Sequence, residues 1–224
     1  MKMIASHFMI FFAVIFFYSC SFVPVNNQYE KAGTLKEGNL ELSGSYTANT
    51  ATRDEDGTIS NNNYGFRVGY GFTDKFDLKF RYERLNPSNN VGDFKGATYF
   101  SIIPKFAIIA EELSILIPVS YYTYKDVFIE EFRSNLTSVA PQIIYTFTSP
   151  KKKSDLSLGL KGDFLFGGGG GGVILGITVG AGFSSNLCKW AIRPEVGASF
   201  SGWGGSFLTY GIGLQLIIPT RKIE

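Results

Sequence analysis

The chain has 224 residues, a formal net charge of +2 at pH 7, two cysteines and a single histidine, His7. So small an excess of positive charge gives no electrostatic argument for binding nucleic acid. Because His7 lies within the first twenty residues, the rest of the chain lacks the commonest acid–base residue and the commonest metal ligand. We therefore predict a non-enzymatic protein with no cofactor and no metal site.

The first twenty residues have the pattern of an export signal. Lys2 provides a positive start, and the apolar run over 9–18 is too short to span a bilayer. Ser19 and Cys20 follow directly, and a small residue before a cysteine at this point resembles the lipobox of bacterial lipoproteins. The resemblance implies a signal peptide over 1–19 and acylation of Cys20; an ordinary signal peptide is the alternative. Residues 20–37 are then predicted to be a lipidated tether to the first strand, and Cys188 is left without a disulfide partner.

Residues 38–224 are predicted to form one β-barrel domain. Ten segments alternate apolar residues with small, polar or charged ones, which is the period of a strand with two different faces. In the clearest segment, residues 76–83, Phe, Leu, Phe and Tyr alternate with Asp, Lys, Arg and Glu. Each segment is long enough to cross a membrane at a tilt. The predicted strands are about 38–49, 62–72, 76–86, 96–108, 112–124, 136–148, 155–166, 173–184, 189–200 and 206–218.

The connections between these segments are predicted to alternate between short and long. The longer set is about 50–61, 87–95, 125–135, 167–172 and 201–205, and the hexaglycine over 167–172 is predicted to be a flexible external loop. Short turns on the periplasmic side are typical of an up-and-down barrel, and an even strand count places both chain ends on that side. Four prolines fall inside predicted strands, where each removes a ladder donor, and either bulges or shifted strand boundaries would accommodate them. Eight strands is the alternative to ten if two of the segments are wrongly divided. The prolines are Pro104, Pro118, Pro141 and Pro194.

The alternating rows predict an apolar face towards lipid and a charged face towards the lumen. Long uncharged apolar rows suit a lipid-facing band, and rows rich in Gly and Ser suit a crowded interior. Six cations and five carboxylates on the inner rows nearly cancel, which favours an ion-paired interior that closes the barrel; a selective pore or a solute site is the alternative. The predicted lumen charges are Glu41, Arg67, Asp77, Lys79, Arg81, Glu83, Lys105, Lys161, Asp163, Arg193 and Glu195.

This pattern over residues 38–218, with the N-terminus described above, resembles the small outer-membrane β-barrel proteins of Gram-negative bacteria. The resemblance implies an antiparallel transmembrane barrel in the outer membrane, surrounded by its lipids, with the lipid anchor on the periplasmic side. The leading hypothesis is a structural or surface-interaction role, in which the long loops bind an unidentified ligand. A narrow channel or carrier for a small solute is the second hypothesis. The third is a soluble lipocalin-like lipoprotein with its apolar face turned inward.

Overall fold

The computed structural model describes residues 25–53, 57–88, 96–124, 135–167, 170–201 and 206–220. Strand segments account for most of them, and all their pairings are antiparallel. The segments are β1 (Asn39–Arg53), β2 (Gly57–Thr73), β3 (Phe76–Pro87), β4 (Ala97–Ile109), β5 (Leu113–Leu116), β6 (Val119–Tyr124), β7 (Leu136–Val139), β8 (Gln142–Thr148), β9 (Ser154–Gly167), β10 (Gly170–Phe183), β11 (Trp190–Ser201) and β12 (Ser206–Pro219).

The sheet closes into a barrel of ten strands, as the sequence predicts. Strand β1 pairs with β12 from Asn39 opposite Pro219 to Thr52 opposite Ser206, which joins the two edges. Segments β5 and β6 are two halves of one interrupted strand, because both pair with β4. Segments β7 and β8 are likewise two halves, because both pair with β9. The ten-strand prediction is confirmed, and the alternative of eight strands is wrong.

Prolines account for both interruptions. Pro118 follows the end of β5 and Pro141 precedes β8, and neither can donate a backbone hydrogen bond to the ladder. The backbone on either side stays paired, since the Ile117 amide donates to the Pro104 carbonyl at 3.1 Å and the Ala140 amide donates to the Pro118 carbonyl at 2.9 Å. The breaks therefore lie side by side in neighbouring strands without opening the wall.

The two ends of the barrel differ. We call the end where β1 begins and β12 finishes the terminal end, and the opposite end, which carries the connections 88–96 and 125–135, the loop end. The predicted alternation of short and long connections is wrong at two places: most of 50–61 belongs to the β1–β2 ladder, and Gly170–Gly172 pair with Leu165–Gly167. Asn and Gly, which are frequent in these two stretches, have low strand propensity, but here the closed ladder pairs their backbone.

The charged rows face inward and the apolar rows face outward. On β12, for example, Leu208, Tyr210 and Ile212 are 59, 55 and 49 % exposed, whereas Thr209 is buried. Since a lipocalin-like barrel needs an apolar interior, that alternative is wrong for this chain. Across the described ranges, no helix is long and apolar enough to cross a membrane.

Candidate functional site: a lumen filled by the N-terminal segment

Residues 25–35, which we call the lumenal segment, run inside the barrel. Val25 through Glu30 are all buried, as are Ala32 and Leu35. These residues belong to the stretch predicted to be a tether outside the barrel, so that placement is wrong for the described part of it. Cys20 lies outside the described residues. A polar stretch without periodicity suits either an external tether or a lumen lined with charges, so the sequence pattern did not separate the two.

The lumenal segment crosses from one end of the barrel to the other. At its start, Val25 joins a buried apolar cluster with Leu85, Ala97 and Leu165, which lie within two residues of strand ends at the loop end. Just beyond its finish, the Gly38 amide donates to the Gly71 carbonyl at 2.9 Å, next to the β2–β3 turn at the terminal end. The segment therefore occupies the path that a solute would take through the barrel.

Cations of the wall bind the carbonyl groups of the lumenal segment. Because the segment has no strand partner, its buried backbone groups need other hydrogen bonds. Lys161 donates to the Val25 carbonyl at 2.6 Å, and Arg81 donates to the Asn27 carbonyl at 2.7 Å. Arg67 donates to the Gln28 and Tyr29 carbonyls at 2.6 and 3.4 Å, and Lys105 donates to the Lys31 and Gly33 carbonyls at 2.6 and 2.9 Å.

Carboxylates of the wall accept from the amides of the same segment. Glu195 is buried and accepts from the Gln28 and Tyr29 amides at 2.7 and 2.8 Å, one for each carboxylate oxygen. Asp77 accepts from the Leu35 amide at 2.8 Å. Hydrogen bonds that involve an ionised group are about twice as strong as neutral ones. The wall charges thus replace the ladder that the segment lacks.

The predicted lumen charges are all buried in the interior. Glu41 accepts from Arg67 at 2.7 Å and lies 3.0 Å from the Lys79 ammonium, and Arg193 pairs with Asp155 through two bonds of 2.9 Å. Lys79 also pairs with Glu30 of the lumenal segment. The sequence prediction omitted Glu30 and Asp155, which bring the carboxylates from five to seven against six cations. Asp155 lies in the inner row of the predicted strand 155–166, so the alternation identifies it as a lumen residue. Glu30 lies in a stretch without periodicity, so the sequence pattern does not indicate its place in the lumen.

Tyr29 fixes the middle of the lumenal segment. Its hydroxyl donates to the Tyr46 carbonyl at 2.9 Å and contacts Thr47, and its backbone has a φ of 55°, in the left-handed region that is unfavourable for a non-glycine residue. A Cβ added at Gly213 would lie 2.7 Å from the Tyr29 Cβ. Glycine in the wall therefore provides room for the segment to lie against the sheet.

An ion pair at the terminal end anchors the part of the lumenal segment that lies nearest to β1. The Lys31 ammonium lies 2.9 Å from a carboxylate oxygen of Glu111 in the β4–β5 turn. Partial burial raises the pKa of the Glu111 carboxyl, but the charge and hydrogen bond of Lys31, together with the charges of Lys36 and Lys152, hold that pKa below its usual value. The second cysteine, Cys188, is a free and exposed thiol in the β10–β11 turn at the same end.

Comparisons with known proteins give structural likenesses only. No protein-family model matches the chain, and no curated protein matches it. The chain is similar to the translocator domain of the autotransporter NalP from Neisseria meningitidis, with 8 % identity, 79 % of this chain and 88 % of that chain covered, and a TM-score of 0.47. It is similar to Neisserial surface protein A, with 12 % identity, 80 and 99 % covered and a TM-score of 0.42. It is also similar to the N-terminal beta-barrel domain of Pseudomonas aeruginosa OprF, with 11 % identity, 81 and 98 % covered and a TM-score of 0.35.

Proposed function

We propose that this chain is a non-enzymatic β-barrel protein of the Gram-negative outer membrane, closed by its own N-terminal segment, with a structural or surface-interaction role. The observation that carries the proposal is the lumenal segment. Cations of the wall bind its buried carbonyl groups, and carboxylates of the wall accept from its amides. A barrel built in this way has a filled lumen. The connections 88–96 and 125–135 at the loop end are the proposed surface for an unidentified ligand.

The outward face supports the membrane part of the proposal. Large apolar side chains cover the outside of successive strands, as with Phe66 and Leu160, which are 50 and 63 % exposed. In water such a surface would be an aggregation hazard, whereas in a bilayer it faces hydrocarbon. The terminal end is then the periplasmic side, as in barrels of this type. Acylation of Cys20 belongs to the proposal as well, through its lipobox-like context.

The filled lumen argues against a permanently open pore. Among cavities lined by the described residues, two of about 10 and 40 Å³ border the lumenal segment. A cavity of about 10–15 Å³ holds one water molecule, so these two have room for a few waters and not for a solute. Steady passage of a solute would require the segment to leave the lumen.

Two measurements on the purified full chain test the proposal. The unboiled protein should migrate differently from the boiled protein on SDS gels and should need detergent to remain in solution. In planar bilayers, the inserted wild-type protein should show no steady conductance. Extraction without detergent would contradict the membrane location, and a steady ohmic conductance would contradict the closed lumen.

A channel opened by release of the segment is the second candidate function. Polar side chains favour it: Asn49, Asn61 and Thr209 of the inner wall near the loop end are buried and have side-chain atoms without a protein hydrogen-bond partner. Such groups suit a polar solute. This function predicts that Arg67→Ala with Arg81→Ala, which removes donors to the segment, produces conductance that the wild type lacks. Silence of the folded double variant would argue against it.

A further inference from the structure

The direction of the lumenal segment has a consequence for the topology of the N-terminus. Reading backwards from β1, Leu35 bonds to Asp77, one residue after β3 begins at the terminal end. Tyr29 bonds to Glu195, near the middle of β11. Asn26 donates to the Ala198 carbonyl at 3.3 Å, three residues from the end of β11 at the loop end. Followed from Leu35 back to Asn26, the contacts of the segment therefore move from the terminal end of the barrel to its loop end.

Covalent geometry limits where the preceding residues go. Cys20 is five residues before Val25, so it lies no more than about 18 Å away along a fully extended chain. Strands tilted by about 40° rise about 2.5 Å per residue along the barrel axis. Leu165, in the cluster of Val25, is two residues from the loop end of β9 and eleven from its terminal end. From the level of Leu165, the mouth at the loop end is therefore about 5 Å away and the mouth at the terminal end about 28 Å away. The second distance exceeds the roughly 18 Å that the chain from Val25 to Cys20 can span.

We infer that the chain before Val25 leaves the barrel at the loop end, so that the N-terminus and the C-terminus of the mature protein lie on opposite sides of the membrane. The lumenal segment is an eleventh crossing added to the ten strands of the wall. A lipid on Cys20 would then insert into the leaflet on the loop side, which is the outer leaflet in the proposed orientation. This inference rests on the proposed membrane location, and it contradicts the predicted periplasmic anchor.

The chain offers a matched pair of positions for testing this topology. Cys188 is an exposed thiol in a turn at the terminal end, and Val23→Cys introduces a thiol two residues before Val25. Two proteins are compared, both with Cys20→Ala: one keeps Cys188 as its only thiol, and the other carries Val23→Cys with Cys188→Ser. Each is labelled with a membrane-impermeant maleimide in intact cells and again after the outer membrane is permeabilised.

The inference predicts that the thiol at position 23 reacts equally before and after permeabilisation, whereas Cys188 reacts only afterwards. If position 23 also reacts only after permeabilisation, the inferred topology is overturned. Because Cys20→Ala removes the lipid, the wild-type N-terminus is checked separately. An epitope inserted after Ser21 should be bound by antibody on intact cells, like one inserted within 125–134 and unlike one added after Glu224; an N-terminal epitope that behaves like the C-terminal one overturns the inference.

Failure of the proposed function gives a different result. Heat-modifiability on SDS gels checks that each labelled or tagged protein is folded in the membrane. If a protein that needs no detergent is released from the cells, the membrane location has failed and the topology question does not arise. A folded, detergent-requiring barrel with a protected position 23 refutes only the threading of the N-terminus to the loop side.

Discussion

Glu195 provides the sharpest test of how the lumenal segment is held. Its two carboxylate oxygens accept from the Gln28 and Tyr29 amides at 2.7 and 2.8 Å. The variant Glu195→Gln has almost the same shape, but it keeps one carbonyl oxygen and replaces the other with an amide group. One backbone N–H of the segment then faces a donor instead of an acceptor.

The expected cost follows from the burial of the site. A buried donor that loses its acceptor costs about 1–3 kcal/mol, because the site gives it no solvent in exchange. The unfolding free energy of Glu195→Gln should therefore fall by that amount. An energy of 1–3 kcal/mol corresponds to about a 5–150-fold change in an equilibrium constant. The population in which the segment has left the lumen should rise by a factor in this range.

Denaturant unfolding of the vesicle-embedded protein, followed by tryptophan fluorescence, measures this loss. The control is Glu112→Gln, which removes the same charge from an exposed residue of the β4–β5 turn. We expect the midpoint to fall for Glu195→Gln and to stay within error of the wild type for Glu112→Gln. Equal midpoints for both variants would refute the assignment of Glu195 as an anchor of the segment.

Three further predictions concern packing, the lipid face and pH. Gly213→Ala places a Cβ 2.7 Å from that of Tyr29 and should cost about 1–3 kcal/mol, whereas Gly44→Ala, whose nearest neighbour is 3.9 Å away, should cost nothing in the same unfolding assay; equal effects would contradict the packing. Leu160→Arg, at the middle of β9 on the outer face, should cost about 2–4 kcal/mol in vesicles, and Glu112→Arg should not; a tolerated Leu160→Arg would contradict the lipid-facing assignment. Because folding lowers the pKa of Glu111 from 4.5, its ion pair stabilises the folded state above pH 4.5, and this stabilisation is lost as the pH falls through the folded-state pKa. Lys31→Ala should therefore lose less stability on acidification than the wild type. An unchanged dependence of stability on pH would contradict the ion pair.

The fold could be predicted from the sequence because a two-faced strand repeats every two residues, and this repeat is visible in the order of apolar and polar residues. Each wall strand alternates between a lipid-facing and a lumen-facing residue, and segments such as 76–83 show this without interruption. Strand ends were less accurate. The loop-end parts of β1 and β2 contain several Asn residues, which favour a loop, although the closed ladder pairs them as strand.

The sequence identifies which charged residues face the lumen, but it does not show that they bind the lumenal segment. The inner rows identify Arg67, Arg81 and Glu195 as interior residues, and near-neutrality indicates that they pair. Much of their pairing, however, is with the backbone of the lumenal segment, and a backbone partner leaves no mark on the side-chain pattern. The segment has no period because it belongs to no sheet, so only the structure shows that it fills the barrel.

A disulfide between the lumenal segment and the wall would show whether the segment fills the barrel. With Cys20→Ala and Cys188→Ser as background, Tyr29→Cys is combined with Gly213→Cys, whose Cβ would lie 2.7 Å from that of residue 29. A disulfide needs these atoms about 3.5–4.5 Å apart, so a shift of about 1 Å suffices. The control pair is Tyr29→Cys with Leu214→Cys, the next residue along β12, which faces outward and is 49 % exposed. A lumen filled by the N-terminal segment predicts a cross-linked band on non-reducing gels for 29/213 and none for 29/214; no cross-link at 29/213 in the folded barrel would contradict it.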